Sequence, residues 1–255
     1  MAIDSHSHIY DDEFKDDILD VLQRAKDNNV NKIVLVGYSH EANLKAYEMA
    51  QENSGFLYNT AGLHPDQTNI VNEEDIALLE RFIQEHKVYA IGEIGLDYHW
   101  EKDNHDKQKW LFKEQLEMAF KYGLPVVIHS RDADKDTFDI LKQYKDKLMI
   151  LMHCYSGSVE LAKEYIKIGA YISLGGPITF KNSVTPKEVC KYVPLDRFMV
   201  ETDSPYMAPS PMRSKRNESA YVKYVLEMAS ELKNISFAEL ERLTEENTIK
   251  FFKLD

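Results

Sequence analysis

Eight short runs of β-branched and apolar residues recur along the chain, each followed by a segment with helical spacing. This alternation restricts the fold more than any other feature. The runs are Ala2–His6, Asn31–Gly37, Leu57–Gly62, Val88–Gly92, Pro125–His129, Leu148–His153, Ala170–Leu174 and Arg197–Glu201. Several are apolar throughout, as in Ile33-Val34-Leu35-Val36 and Val126-Val127-Ile128, which suits strands buried on both faces of a parallel sheet. The segments between them carry apolar residues at helical intervals. Ile18, Leu19, Leu22 and Ala25 form one stripe, and Ile76, Leu79 and Ile83 another. Leu111, Gln115, Met118 and Tyr122 form a weaker third. Asn72 followed by Asp75 marks a helix start. Repeated βα units call for parallel strands joined by crossover helices. Eight of them in 255 residues predict a single (β/α)8 TIM barrel spanning residues 1–255, with an open doubly wound sheet as the competing arrangement. The tail, Ser236–Asp255, reads as an extra C-terminal helix over one end of the barrel.

Hydrophobic residues make up 44% of the chain and charged residues 29%, as expected for a soluble globular protein with a sizeable core. No apolar run approaches the ~18 residues needed to cross a bilayer. Met1 to Tyr10 lack a basic, apolar signal pattern, so a cytoplasmic location is expected. Two cysteines, Cys154 and Cys190, are too few for a disulfide framework. Both are expected to be buried and inert, Cys154 on the strand face opposite His153. The net charge of −12 repels polyanions unless bound cations and a local basic patch reverse the field.

Chemistry concentrates at the carboxyl ends of the runs. The first ends in His6-Ser7-His8. The third leads to His64-Pro65 and the fourth to Glu93. The fifth ends in His129-Ser130-Arg131, the sixth in His153, and the eighth in Glu201-Thr202-Asp203. In a barrel these ends converge on one face, where active sites sit. His6 and His8 lie two apart, so in a strand they point the same way, about 6.6 Å apart along it. Any one histidine is ordinarily a hydrogen-bonded structural residue. Five of the nine at strand ends are a different matter. His40, His86, His99 and His105 fall in helices or loops and read as structural.

A buried carboxylate such as Glu93 or Asp203 needs a cationic partner or a metal. Arg131 is the one base placed at a strand end, and it cannot neutralise this group. Imidazole and carboxylate together suit Zn, Mn or Ni, with Mg possible on oxygen-rich ligands. Six candidate ligands exceed one open site, which implies two divalent metal ions ~3.5–4 Å apart with Glu93 as the bridging candidate. Such ions acidify water to a pKa near ~7. Asp203 is placed to accept its proton as general base.

These segments together resemble the TatD-type metal-dependent deoxyribonuclease family, one of the amidohydrolase-like barrels. The resemblance spans nearly the whole chain. It lies in Asp4-Ser5-His6-Ser7-His8, Gly62-Leu63-His64-Pro65, Gly92-Glu93-Ile94-Gly95-Leu96-Asp97-Tyr98, the segment from Pro125 to Arg131, His153-Cys154-Tyr155-Ser156-Gly157 and Glu201-Thr202-Asp203-Ser204-Pro205. It implies that His6, His8, Glu93 and Asp203 hold one metal, and that Glu93, His129 and His153 hold the second. Glu93 and Asp203 are the expected catalytic residues. The resemblance implies hydrolysis of DNA phosphodiesters, with 3′→5′ exonuclease polarity, and substrate contacts from His64 and Arg131. One departure is visible: where the family often has Asn-Glu-Pro, this chain has Asn217-Glu218-Ser219. Proline presets φ in a first helical turn, so its absence loosens that loop and leaves the metal ligands alone.

The loop Met212-Arg213-Ser214-Lys215-Arg216 is either a solvated surface run or a phosphate clamp in which Arg216 binds DNA. Tyr98, Trp100, Tyr155 and Tyr206 could stack on unpaired bases of single strands or ends. Two other functions compete. One is hydrolysis of small-molecule or aminoacyl esters, which the acidic charge favours. The other is metal-stabilised binding without turnover. No segment points to a membrane or a protein partner.

Overall fold

The computed structural model describes residues 1–100 and 103–255. Its strands are β1 (Ala2–Ser7), β2 (Val30–Leu35), β3 (Leu57–Asn59), β4 (Ile91–Asp97), β5 (Val126–Arg131), β6 (Ile150–Met152), β7 (Tyr171–Leu174) and β8 (Phe198–Val200). All pair in parallel, in the orders β1-β2-β3 and β4-β5-β6-β7-β8. Parallel bridges Ala61–Ile91 and Ser7–Ser204 join the two groups at both seams. Backbone bonds Gly92 N to Ala61 O (2.9 Å) and His8 N to Ser204 O (2.8 Å) tie them. The result is the expected (β/α)8 barrel.

The helices are α1 (Ile18–Asp27), α2 (His40–Glu52), α3 (Glu73–Glu85), α4 (His105–Tyr122), α5 (Asp134–Leu141), α6 (Val159–Lys167), α7 (Thr185–Tyr192), α8 (Val222–Lys233) and α9 (Phe237–Phe252). Local signals start and stop them. Asn72 opens α3 with a capping box completed by Asp75, and serines 39, 158 and 236 cap α2, α6 and α9. Gly123, with φ of +64°, ends α4 in a left-handed turn. No described helix is long and apolar enough to cross a membrane.

Two apolar layers result. One lies between the strands and the outer helices. The other fills the barrel with Ile3, Val34, Tyr58, Ala90, Val127, Leu151, Tyr171 and Met199. Phe251, Phe252 and Leu254, at the end of α9 and beyond, join this inner layer. The C-terminal helix therefore plugs one end of the barrel with aromatic side chains.

Three expectations need correction. Leu19 is 79% exposed, because α1 buries Val21, Leu22 and Ala25 instead. Residues 18, 21, 22 and 25 make the i, i+3, i+4, i+7 stripe, and Leu19 lies off it. Next, β4 starts at Ile91 and ends at Asp97, beyond the run Val88–Gly92. Glu93 interrupts the apolar run, but Ile94, Gly95 and Leu96 continue it to Asp97, and all seven residues are buried. Finally, Cys154 lies past the end of β6, with φ of +42°, so strand alternation does not set its direction. Cys154 is half-buried rather than buried like Cys190, yet desolvation pushes both thiol pKa values up. Both cysteines are free.

Candidate metal centre

The barrel mouth gathers side chains from five places. His6 lies on β1, with His8 just beyond it. Glu93 and Asp97 come from β4, and His129 from β5. His153 follows β6, and Glu201 and Asp203 follow β8. His6, His8, Glu93, His153, Glu201 and Asp203 are all buried.

Glu93 sits at the centre. Its Oε2 lies 3.4 Å from His6 Nε2 and 3.9 Å from His8 Nε2. Its Oε1 lies 2.7 Å from His153 Nε2 and 2.8 Å from His129 Nδ1. Asp203 Oδ1 completes the first group, at 3.7 Å from His6 Nε2 and 3.8 Å from His8 Nε2. The backbone of Asp203 is left-handed, with φ of +57°, a region that aspartate enters more readily than most side chains. Its N–H donates to His6 O at 2.9 Å, joining the β8 end to the β1 end.

Among the described residues, no lysine or arginine pairs with Glu93, Asp203 or Glu201; their ion-pair partners are imidazoles. Burial alone would raise the Glu93 carboxyl. The charge on His153 and hydrogen bonds from His129, His153 and His6 outweigh it and hold Glu93 well below the usual range. Burial pushes Asp203 up to about 8, helped by Glu201 and Glu93. Burial also drives His8 down to about 3 and lowers His6. His153 and His129 move up despite burial: Glu93 and Glu201 face the first, Asp97 and Glu93 the second.

The donor set fits divalent ions. His6, His8 and Asp203 offer ligand atoms within 4.8 Å of one another, and so do His6, Glu93 and His153. Ligands at ~2.1 Å from one ion lie ~3–4 Å from each other, which matches these separations. The nitrogens His6 Nε2 and His8 Nε2 face each other at 3.1 Å, an arrangement that a shared cation explains. A third group, His64, Glu93 and His129, meets the same criterion, with His64 Nε2 3.7 Å from Glu93 Oε1. His64 thus stands beside the metal-ligand candidates, although its expected role was substrate contact.

Other residues expected near substrate are placed differently. Arg131 is exposed, its guanidinium 5.5 Å from the ring of Trp100, itself 68% exposed. Arg216 is engaged elsewhere, donating to Asp17 at 2.7 and 2.9 Å and lying 4.1 Å over Phe14. Arg213 lies 3.8 Å over Phe180. Two of the three bases of that loop are thus stacked on aromatic rings. Tyr98 donates to Asp136 and Tyr155 to Ser158 O, so both hydroxyls serve packing. Tyr206 is 53% exposed, its ring 6.4 Å from that of His8.

Sequence reasoning gave no role to several residues that brace this centre. Asp97 Oδ2 lies 3.0 Å from His129 Nε2, and Glu201 Oε1 lies 3.4 Å from His153 Nδ1. Ser173 donates to the other oxygen of Glu201. Asp4, fully buried, accepts from Thr202 N at 2.8 Å and Thr202 Oγ1 at 2.6 Å. Gln115 of α4 accepts from Leu63 N (2.7 Å) and donates to Leu63 O (2.9 Å), fixing the backbone next to His64. Gln108 does the same for Asp97. Helical spacing alone put Gln115 on a buried stripe; an amide there was the available signal.

Comparison with known proteins agrees with this chemistry. A family model described as TatD related DNase matches residues 3–253. The chain is 43% identical, over the full length of both, to YabD, an uncharacterized metal-dependent hydrolase of Bacillus subtilis (strain 168). It is 29% identical to the 3'-5' ssDNA/RNA exonuclease TatD of Erwinia billingiae, over 95% of each chain. The crystal structure of YJJV, a TatD homolog from Escherichia coli k12, matches with a TM-score of 0.93 at 29% identity, covering 100% of this chain and 98% of that one. A metal-dependent hydrolase site at the mouth of a barrel, matched along the whole chain, places this protein in the TatD related DNase family.

Proposed function

We propose that this enzyme uses two divalent ions to hydrolyse phosphodiester bonds of DNA, acting 3′→5′ on single strands or ends. The observation that carries the reading is the division of Glu93: one oxygen faces His6 and His8, the other His129 and His153. His6, His8, Glu93 and Asp203 would hold one ion, and Glu93, His129 and His153 the other. Ions bound there supply Lewis acidity toward the phosphate and acidify water.

The chain's own groups do the rest. Asp203 takes the proton of the attacking water, a role that its place beside His6 and His8 supports. His64 and Arg131 orient the scissile phosphate. Trp100, exposed beside Arg131, offers a face to an unpaired base. The name of the Erwinia relative, an ssDNA/RNA exonuclease, supports the same polarity and strand preference. Two unpaired cysteines suit a reducing compartment, and we place the enzyme in the cytoplasm.

The test is direct. Metal-loaded protein should shorten a 5′-labelled single strand stepwise, and Glu93→Gln should abolish the ladder while the fold survives. No cleavage with Mg, Mn, Zn or Ni in folded wild type would refute the nuclease reading. One feature favours the ester-hydrolase alternative: a cavity of about 320 Å3 beside Tyr38 is lined by Asp11, Asp12, Glu13 and Glu41, against one base, Lys45. Such a rim repels a phosphate backbone. A carboxylic ester turned over with a kcat/KM well above that for DNA would decide for it.

A further inference from the structure

Tyr10 lies two residues past His8 and is 6% exposed. Its hydroxyl makes two contacts. It donates to Val36 O at 2.6 Å, and it meets His8 Nδ1 at 3.1 Å. A carbonyl oxygen only accepts, so the phenolic proton is committed to Val36. Toward His8 the phenol then has only a lone pair to offer. The ring must therefore be the donor, with its proton on Nδ1. The other nitrogen, Nε2, is the atom that faces His6 Nε2, Asp203 Oδ1 and Glu93 Oε2. The opposite tautomer would leave two acceptors, Val36 O at 2.6 Å and His8 Nδ1 at 3.1 Å, competing for the one phenolic proton, and would aim an N–H at the ion pocket.

The anchor is itself fixed. Val36 N donates to Ser7 O at 3.0 Å, an extension of the β1–β2 pairing. The Tyr10 ring is also held, lying 6.4 Å from Tyr38 in a stacked arrangement and 6.0 Å edge-on to His8. Among the described residues His6, by contrast, has no hydrogen-bond partner at Nδ1, so of these two imidazoles it is His8 that a hydrogen bond orients from behind.

We propose that Tyr10 is a positioning residue that holds His8 as the Nδ1–H tautomer, so that Nε2 is bare toward the ion pocket. The inference rests on the two-ion reading for its purpose and on hydrogen-bond geometry for its content. Groups of this kind behind a metal-binding histidine change metal affinity by roughly 10–100-fold.

Two measurements test it. In metal-free wild type labelled with 15N-histidine, long-range 1H–15N correlation should show His8 protonated at Nδ1, its signal identified by loss in His8→Gln. Calorimetric titration of Tyr10→Phe with Mn2+ should show one of the two ions weakened by roughly 10-fold or more, the other unchanged, with a shift toward the Nε2–H form. A wild-type spectrum showing Nε2–H, or Tyr10→Phe with unaltered tautomer and affinity, overturns the proposal. Should Tyr10→Phe not fold, the wild-type spectrum still decides. If wild type takes up no metal, the two-ion reading fails, and the spectrum alone judges Tyr10.

Discussion

Asp97 stands behind His129 as a carboxylate partner: its Oδ2 lies 3.0 Å from Nε2, while Nδ1 of the same ring faces Glu93 at 2.8 Å. Burial would raise Asp97, but the hydrogen bond from His129 and the backbone N–H groups of Trp100 and His99 hold it at about 2. The carboxylate is thus ionised at any working pH and fixes which His129 nitrogen meets the ion pocket. Asp97→Asn keeps the acceptor for the two backbone N–H groups and removes the charge behind the imidazole. We expect an intact fold and a metal affinity lower by roughly 10–100-fold. Circular dichroism and isothermal titration with Mn2+ measure the two; unchanged affinity would show that Asp97 serves only its turn.

The pH dependence of stability should differ in sign with and without metal. Asp203 is raised to about 8 and Asp4 to about 7, both chiefly by burial, and His153 and His129 are raised from 6.5 by their carboxylate partners against the opposing effect of burial. Each binds a proton more tightly folded than unfolded, so its contribution is lost as pH rises through the folded value. His6 and His8 are lowered, and their opposing contribution ends near their unfolded value of 6.5. From pH 6.5 to about 8 the site therefore destabilises the metal-free protein progressively. Metal ions bind the deprotonated ligands and stabilise more as pH rises. Melting curves with chelator should fall by several degrees over this window, and those with saturating Mn2+ should not follow. A constant gap between the two sets would contradict the ligand assignment.

The fold was legible because its signal is repetitive. Eight apolar runs separated by helical stripes leave few arrangements, and β2, apolar at Ile33-Val34-Leu35, matches its run closely. The candidate ligands were legible because they fall at strand ends. What stayed hidden depends on contacts across elements. Gly95 illustrates this. Its φ is +146°, and a Cβ there would collide with His129 O, so glycine permits β4 and β5 to close around the candidate ligands. Nothing local to Gly95 announces His129. Arg216 shows the same limit: nothing local to its basic loop announces Asp17 and Phe14, about 200 residues earlier, which it touches.

Gln115 offers a stability test away from the ligands. Its amide satisfies both backbone groups of Leu63, two interactions in a fully buried setting. Gln115→Leu preserves approximate volume and strands a buried N–H and a buried C=O. Each unsatisfied group costs about 1–3 kcal/mol, so a loss of roughly 2–6 kcal/mol is expected. Denaturant titration reads it directly. A loss below ~1 kcal/mol would mean that the Leu63 backbone finds water or another partner.

Arg131 and Arg216 should separate substrate binding from scaffold. Arg216 is tied by two hydrogen bonds to Asp17, which also accepts from Arg24, and Arg24 in turn grips buried Glu218 through three. The loop after β8 is thereby fastened to α1, close to Asn217, whose amide donates to Thr202 O and Tyr206 O on either side of Asp203. Arg216→Ala removes one fastening and the packing over Phe14, so its main effect should be lower stability, roughly 1–3 kcal/mol, read from denaturant titration. Among the described residues Arg131 has no such ties: it is exposed over an exposed Trp100. Arg131→Ala should leave stability within about 0.5 kcal/mol and raise the KM for a single-stranded oligonucleotide several-fold, more at low salt than at high. If Arg216→Ala instead raises KM at full stability while Arg131→Ala does nothing, the clamp lies in the loop after β8 and the Arg131 assignment fails.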